Sequence, residues 1–249
     1  MSLVYSNTTT KAGIIQRIEQ ELGFTDAFIS GNSTRLTQWT ASINLALDNV
    51  LSIIFKADGR WQFDDSNHTD YPIITTNLVA SQRDYAFTAD ENSNLILDIY
   101  RVLARSSTTT PYYDLKPVDV QGDNEFEIGG LADGLNNEGV PKTYDKTANG
   151  IFVDPIPSST ITSGLKIYIN REGSYFTTSD TTKKPGFAGL YHEYLVLEPA
   201  YRYARAHRLD SQEALRRDLK ELEQSMIQFY SRREKDERPY FTNERINYE

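Results

Sequence analysis

The stretch FAGLYHEYLVLEPAYRYARAHRLDSQEALRRDLKELEQSMIQFY, Phe187–Tyr230, reads as two consecutive amphipathic helices, and the rest of the chain must supply what they pack against. In its second half Leu215, Leu219, Leu222, Met226 and Phe229 recur at steps of four, three, four and three, which stacks them on one helix face. Asp210 followed three residues later by Glu213 has the pattern of a capping box, worth about 1 kcal/mol. On the outer face Glu213 and Arg217 stand in the favourable order at i and i+4. Arg216 and Lys220 oppose each other at the same spacing, so burial and not charge pairing must hold this helix. The first half runs to about His207 with Leu190, Tyr191, Tyr194, Leu195, Leu197 and Tyr201 as a broad, largely aromatic face. Pro199 lacks the N–H that would bond the Leu195 carbonyl, which predicts a kink or a break there.

Beyond this pair, residues 231–249 hold ten charged side chains with Tyr240, Phe241, Ile246 and Tyr248 scattered among them. They show no helical stripe and cannot form a core, so the expectation is an extended C-terminal tail. At the other end of the chain, Ile14, Ile15, Ile18 and Leu22 form a short stripe with Thr8, Thr9 and Thr10 as candidate caps and Gly23 as a stop. A longer helix follows, capped by Ser33 or Thr34 and ended by Gly59. Leu36, Trp39, Ile43, Leu47, Val50, Leu51 and Ile54 lie along one side of it.

Between the helical ends the pattern changes to short β-branched and aromatic runs separated by Gly, Pro, Asn, Asp and Ser. Strands are expected at 73–79, 83–88, 96–103, 112–115, 151–154 and 165–170, with partners near 125–128 and 142–144. The Asn149-Gly150 pair marks a hairpin between the runs at 142–144 and 151–154. The polar loops at 105–111, 129–139 and 177–186 are places for partner contacts or simply solvated connections. The fold class expected is therefore α+β. Residues 1–60 and 181–230 would form a helical layer, 61–180 an inserted antiparallel β-rich domain, and 231–249 the tail.

The net charge of −9 over 249 residues is unevenly spread. Residues 1–60 carry five basic and five acidic side chains, 61–180 eight and eighteen, and 181–249 thirteen and twelve. An acidic middle repels phosphate and argues against tight nucleic-acid binding. Cysteine is absent, which removes disulfides, thiolate metal sites and cysteine nucleophiles. No apolar run approaches the roughly 20 residues needed to cross a bilayer, and residues 1–10 lack the basic start and apolar middle of a secretory signal, so the expectation is a soluble, unprocessed chain with no membrane partner.

Signatures of common catalysis are missing: no G-x-S-x-G, H-E-x-x-H, phosphate loop or G-x-G-x-x-G. His68, His192 and His207 are not in metal-ligand spacing and read as ordinary surface or helix residues. Asp58, Asp64, Asp65, Asn67 and Asp70 form the densest acidic cluster but miss the order of a calcium loop, which leaves a solvated loop as the main reading. No cofactor and no metal are expected.

Several stretches in order then resemble one family. They are Ala46-Leu47-Asp48-Asn49-Val50-Leu51 followed by Trp61, Ile99-Tyr100-Arg101-Val102, and Gly139-Val140-Pro141-Lys142-Thr143-Tyr144. Further on come Gly150-Ile151-Phe152-Val153-Asp154-Pro155-Ile156-Pro157, Leu165-Lys166-Ile167-Tyr168-Ile169-Asn170-Arg171, and Tyr191-His192-Glu193-Tyr194-Leu195-Val196-Leu197. In this order the chain is similar to the head-to-tail adaptor, or connector, proteins of short-tailed and related phages. The resemblance implies a non-catalytic virion protein at the capsid–tail junction, assembled in the host cytoplasm. It would form a ring, commonly of twelve copies, beneath the portal protein and above a downstream tail or nozzle protein, with DNA passing through without sequence-specific binding. It also implies portal docking by the tail through Arg232, Arg233, Arg238, Pro239, Tyr240, Phe241, Arg245, Ile246 and Tyr248. The β insert is larger and more acidic than in the simplest adaptors. Two readings of other classes stand beside this one: a virion-associated glycan hydrolase with paired carboxylates, and a glycan-binding tail module.

Overall fold

In Ile161–Arg171, the longest described strand (β10), the apolar Leu165, Ile167 and Ile169 alternate with Lys166 and Tyr168. A computed structural model describes residues 3–57, 73–89, 95–118, 137–147 and 150–231. The chain divides into two units, Met1–Gly13 with Gln62–His192 and Ile14–Trp61 with Glu193–Glu249.

In the first unit, β10 is paired antiparallel on one side with β1 (Ile73–Leu78) and on the other with β3 (Ile96–Ala104). The short β4 (Tyr113–Asp114) extends this sheet beyond β3. A second sheet has the order β2 (Asp84–Ala86), β8 (Gly150–Asp154), β7 (Thr143–Thr147), β5 (Lys116–Pro117). The expected hairpin is β7–β8, in register from Thr143 opposite Asp154 to Thr147 opposite Gly150. The main ladders are antiparallel. The two-residue contacts of β5 with β7, and of β6 (Glu138–Gly139) with β9 (Ile156–Pro157), are parallel.

The inner faces of the two sheets share one apolar core. Leu78, Ile99, Val102, Ala104, Leu165, Ile167 and Ile169 come from the first sheet, and Tyr85, Leu115, Tyr144, Ile151 and Val153 from the second sheet and its approach. Each fully buried aliphatic side chain contributes about 1.5–3 kcal/mol relative to exposure. β10 starts four residues earlier than its sequence suggests, because Thr162, Ser163 and Gly164 form a bulge inside the strand and not a turn before it. Asn77 Oδ1 accepts the Ser163 N–H at 2.7 Å, and Ser163 sits at φ 51°. A Cβ on Gly164 would come within 2.8 Å of the Leu78 side chain, so only glycine lets β1 close over the bulge.

The second unit holds four helices among its described residues: α1 (Ile14–Glu21), α2 (Ser33–Ala57), α3 (Tyr194–His207) and α4 (Gln212–Tyr230). The helix α3 packs against each of the other three, and α2 also packs against α4. Ile14, Ile15, Ile18, Ile43, Leu47, Val50 and Ile54 are buried, as the two N-terminal stripes require. Gly23 at φ 67° ends α1, where the Phe24 N–H reaches Glu19 O at 2.8 Å and the Gly23 N–H reaches Gln20 O at 3.1 Å.

Several local expectations are corrected. The helix expected from Phe187 starts only at Tyr194, after a 3₁₀ turn at Gly189–Tyr191 whose Leu190 is exposed. Pro199 does not break α3, which continues to His207. Asp210 makes no capping box. The residue before α4 is Ser211, already in helical conformation at φ −69° and ψ −9°, and no side chain caps this start. A capping side chain needs the extended backbone that this tight turn does not allow.

At α2 the cap is Asn32 and not Ser33 or Thr34, since Asn32 Oδ1 accepts the Arg35 N–H at 3.0 Å. Thr8–Thr10 do not cap α1 but form a turn in which Asn7 Oδ1 accepts the N–H groups of Thr9 and Thr10. The last α4 stripe position belongs to the fully buried Tyr230, while Phe229 is exposed. Glu213 lies 3.9 Å from Arg216, and Arg217 meets Asp218 at 3.4 Å in place of the expected Glu213–Arg217 pair. The strand expected near 125–128 and the stop at Gly59 lie outside the described residues.

Candidate interaction surface

Glu198, in the middle of α3, is almost wholly buried and faces α2. Its Oε1 accepts from the Arg202 guanidinium one turn on and from Asn49 Nδ2 at 3.3 Å, while its Oε2 is buried with no partner among the described residues. Burial raises the Glu198 carboxyl above the ordinary glutamate range, and Arg202 opposes that shift. Two of the sequence stretches that carry the family resemblance meet here, because Asn49 lies in the first and Glu198 directly follows the last.

A seam of Leu197, Ala200, Ala204 and Leu215, flanked by Leu22, Tyr201, Leu219 and Leu222, joins α1, α3 and α4. Beside it runs a groove of about 470 Å³ with Leu197 and Leu222 among its lining and Glu21, Glu193, Asp218 and Glu221 as its acidic groups. Sequence reading missed a second fixture of this unit. Glu19 is buried, and its Oε1 accepts the N–H groups of Ile29 at 2.8 Å and Ser30 at 3.1 Å, which ties the α1–α2 connection to α1. Phe24, Phe28, Trp39 and Tyr203 form an aromatic cluster over that connection, with Phe24 and Phe28 centroids 4.3 Å apart. The guanidinium of Arg35 covers Phe28 at 3.8 Å. A glutamate at i+5 in an apolar stripe, followed by two phenylalanines in a loop, was the available signal.

On the β-rich unit the solvent faces carry ion pairs. Arg101 grips Asp114 by donating Nε and Nη2 to its two carboxylate oxygens at 2.6 and 2.8 Å, Lys146 reaches Asp98 at 3.1 Å, and Arg83 reaches Asp154 at 2.9 Å. All eight basic residues of 61–180 lie in the described part, together with eight of its eighteen acidic ones. The acidic excess of this segment therefore comes wholly from 61–72, 90–94 and 119–136, where ten carboxylates stand without one lysine or arginine.

His207, at the end of α3, is exposed and stacked on Tyr203 at 3.9 Å, but His192 is neither a surface nor a helix residue: it is buried in the turn before α3, where backbone groups engage both ring nitrogens. His68 and the cluster Asp64, Asp65, Asn67 and Asp70, with Asp58, lie outside the described residues. So do all nine expected docking residues, Arg232, Arg233, Arg238, Pro239, Tyr240, Phe241, Arg245, Ile246 and Tyr248. What the structure gives of their setting is the end of α4, where the Ser231 N–H bonds Ile227 O at 3.0 Å and Ile227 and Phe229 are exposed. Among the described residues no group of three or more His, Cys, Asp or Glu could hold a metal ion, and no helix is long and apolar enough to cross a membrane.

A family model described as SU10 adaptor protein matches residues 9–241, a span that takes in both units. No curated protein matches the chain.

Proposed function

Because the chain belongs to the SU10 adaptor protein family, a phage adaptor family of structural proteins, we propose that it is the subunit of a ring at the virion neck. The ring would sit between the portal protein and a downstream tail or nozzle protein, with DNA passing through its centre and no catalytic role for the subunit. The observation that carries this reading is the family match over 9–241. In this reading the helices at the two ends of the chain form the layer that meets the portal and neighbouring copies, and assembly takes place in the host cytoplasm.

The tail supplies the docking contact with the portal. It leaves the end of α4 with five basic and five acidic residues and the apolar Tyr240, Phe241, Ile246 and Tyr248, a composition that can order on a partner. Where aspartates and glutamates of the insert or of the helical layer line the bore, they keep the phosphate backbone from sticking.

Deleting Arg232 to Glu249 tests the reading. The truncated chain is expected to stay folded and soluble, and to fail to assemble on the cognate portal when the mixture is viewed by electron microscopy. Normal rings on the portal from the truncated chain would refute tail docking. In a reconstruction of the full-length ring, a bore dominated by lysine and arginine would refute the electrostatic role of the acidic segments.

A further inference from the structure

The N-terminal segment of the β-rich unit is fastened by a histidine that can do so in only one protonation state. The Leu3 N–H donates to His192 Nδ1 at 3.0 Å across a sequence separation of 189 residues. On the other side of the ring, Nε2 lies 2.9 Å from the Phe187 carbonyl oxygen. A carbonyl only accepts, so Nε2 carries the hydrogen, and Nδ1 must offer its lone pair to Leu3. Both nitrogens are thus committed in the neutral ring, which is 2% exposed and set edge-on to Phe187 with centroids 5.0 Å apart.

The rest of the segment is held over the same stretch of chain. The Tyr5 N–H bonds Lys183 O at 2.8 Å and the Ser6 N–H bonds Thr181 O at 3.2 Å. The buried Tyr5 ring stacks on Phe176 at 5.0 Å. Val4 bridges to Gly13, the last residue before α1, so the strap closes a loop whose end feeds directly into that helix.

We propose that His192 is a proton-operated latch on the segment Leu3–Ser6. Adding a proton to Nδ1 turns the acceptor into a donor and sets it against the Leu3 N–H. That bond must break, and no carboxylate is among the described groups that act on the buried imidazolium. The charged group among the described residues that acts on the ring is Lys184, a cation. Lys183, on the strap's own track, is engaged with Asp180 at 3.8 Å and with the Tyr175 carbonyl. Release of the strap is therefore the relief open to the protonated ring, while the sheet core, which contains no titrating carboxylate or imidazole, stays closed.

The experiment is nitrogen-15 and amide-exchange NMR on the full-length chain as pH is lowered. Expected are an Nε2–H neutral tautomer for His192 at pH 7 and, in step with its protonation, a fall of about tenfold or more in protection at Leu3, Tyr5 and Ser6, with Val102 and Ile167 unchanged; tenfold is the linkage equivalent of one pKa unit. An Nδ1–H tautomer at pH 7, or strap amides that stay protected once His192 is protonated, would overturn the latch. The variant His192→Asn puts a non-titrating oxygen where Nδ1 stands. It is expected to keep the strap protected at neutral pH and to abolish the pH-dependent release; release at the same pH in this variant would assign the effect to another group.

Discussion

The β-rich unit and the helical unit bury side chains by different rules. Between the sheets the buried cluster of described residues is aliphatic and tyrosine, with Phe87 partly buried against it, and its order comes from the pleat: Leu165, Ile167 and Ile169 point one way, Lys166 and Tyr168 the other, and a one-residue slip would exchange them. The helical unit instead encloses carboxylates that bridge its elements. Glu198 spans α2 and α3, and Glu19 ties the connection between α1 and α2. A helix face tolerates rotation and sliding more readily than a strand tolerates slip, so polar contacts that fit only one register give the helices what the pleat gives the strands.

The sharpest test of how burial fixes a helix is at the end of α4, where the fully buried Tyr230 follows the exposed Phe229. Tyr230→Ala should cost about 3–5 kcal/mol, since Tyr230 is fully buried, whereas Phe229→Ala should cost less than about 1 kcal/mol. Urea denaturation of the two variants measures both. Equal losses would mean that the stripe ends as its 4-3-4-3 spacing suggests and that the buried face is wider than described.

That position also shows where reading the sequence stops. Leu215 and Met226 are buried as their spacing requires, but steps of three and of four both return to one face, so Phe229 and Tyr230 were equally eligible. The neighbouring helices decided between them. Strand positions were legible for the same periodic reason, and the bulge at 162–164 was not, because Thr-Ser-Gly is turn chemistry unless Leu78 needs the space over Gly164. The α4 start fails for a different cause: Asp210 and Glu213 have the right types and spacing, but the left-handed Arg208 at φ 54° turns the chain too tightly for a cap to form. Of the candidate site, Glu198 carried no mark in the sequence and Glu19 only its place in an apolar stripe, since residue type and spacing alone do not say which carboxylate a tertiary contact will enclose.

Glu19→Ala should destabilise the helical unit by about 2 kcal/mol, because it leaves the Ile29 N–H without its buried acceptor and the Ser30 N–H without its partly buried one. Glu19→Gln keeps a neutral acceptor and should recover about half of that. A loss of the same size in both variants would show that the charge, and not the two hydrogen bonds, ties the connection to α1.

The two units should also answer acid in opposite directions. Burial, reinforced by Lys184, holds His192 below the ordinary histidine value. Its neutral form therefore contributes stability that is complete above about pH 6.5 and is lost as pH falls through that value towards the folded one. Burial holds Glu198 above the ordinary carboxylate value, so the folded helical unit takes up a proton before the unfolded chain does. It gains stability as pH falls through that raised value towards about 4.3. Hydrogen exchange at Leu3 and Tyr5, in the strap of the β-rich unit, against Ala200 and Ala204, from pH 7 to pH 5, reads the two units separately. Opening free energies should fall in the first pair and rise in the second, and His192→Asn and Glu198→Gln should each flatten the profile of its own unit. A parallel change in both units would contradict this assignment.

The smallest effect is expected where the comparison is closest, at exposed ion pairs. Arg101 and Asp114 meet in a two-pronged contact across β3 and β4, and its geometry holds Asp114 below the ordinary aspartate range through the hydrogen bond from Arg101. Both side chains remain more than half exposed, so water and salt screen the pair whatever its geometry. Asp114→Asn should therefore cost only about 0.2–1 kcal/mol, and the cost should shrink at about 1 M salt, where the screening length falls to about 3 Å. On α4 the looser Glu213–Arg216 contact at 3.9 Å lacks the second prong, so Glu213→Gln should change stability less still. If urea midpoints at low and high salt show the helix pair contributing as much as the sheet pair, then two-pronged geometry confers no advantage at a solvated surface, and these outer charges owe their placement to contacts made outside the single chain.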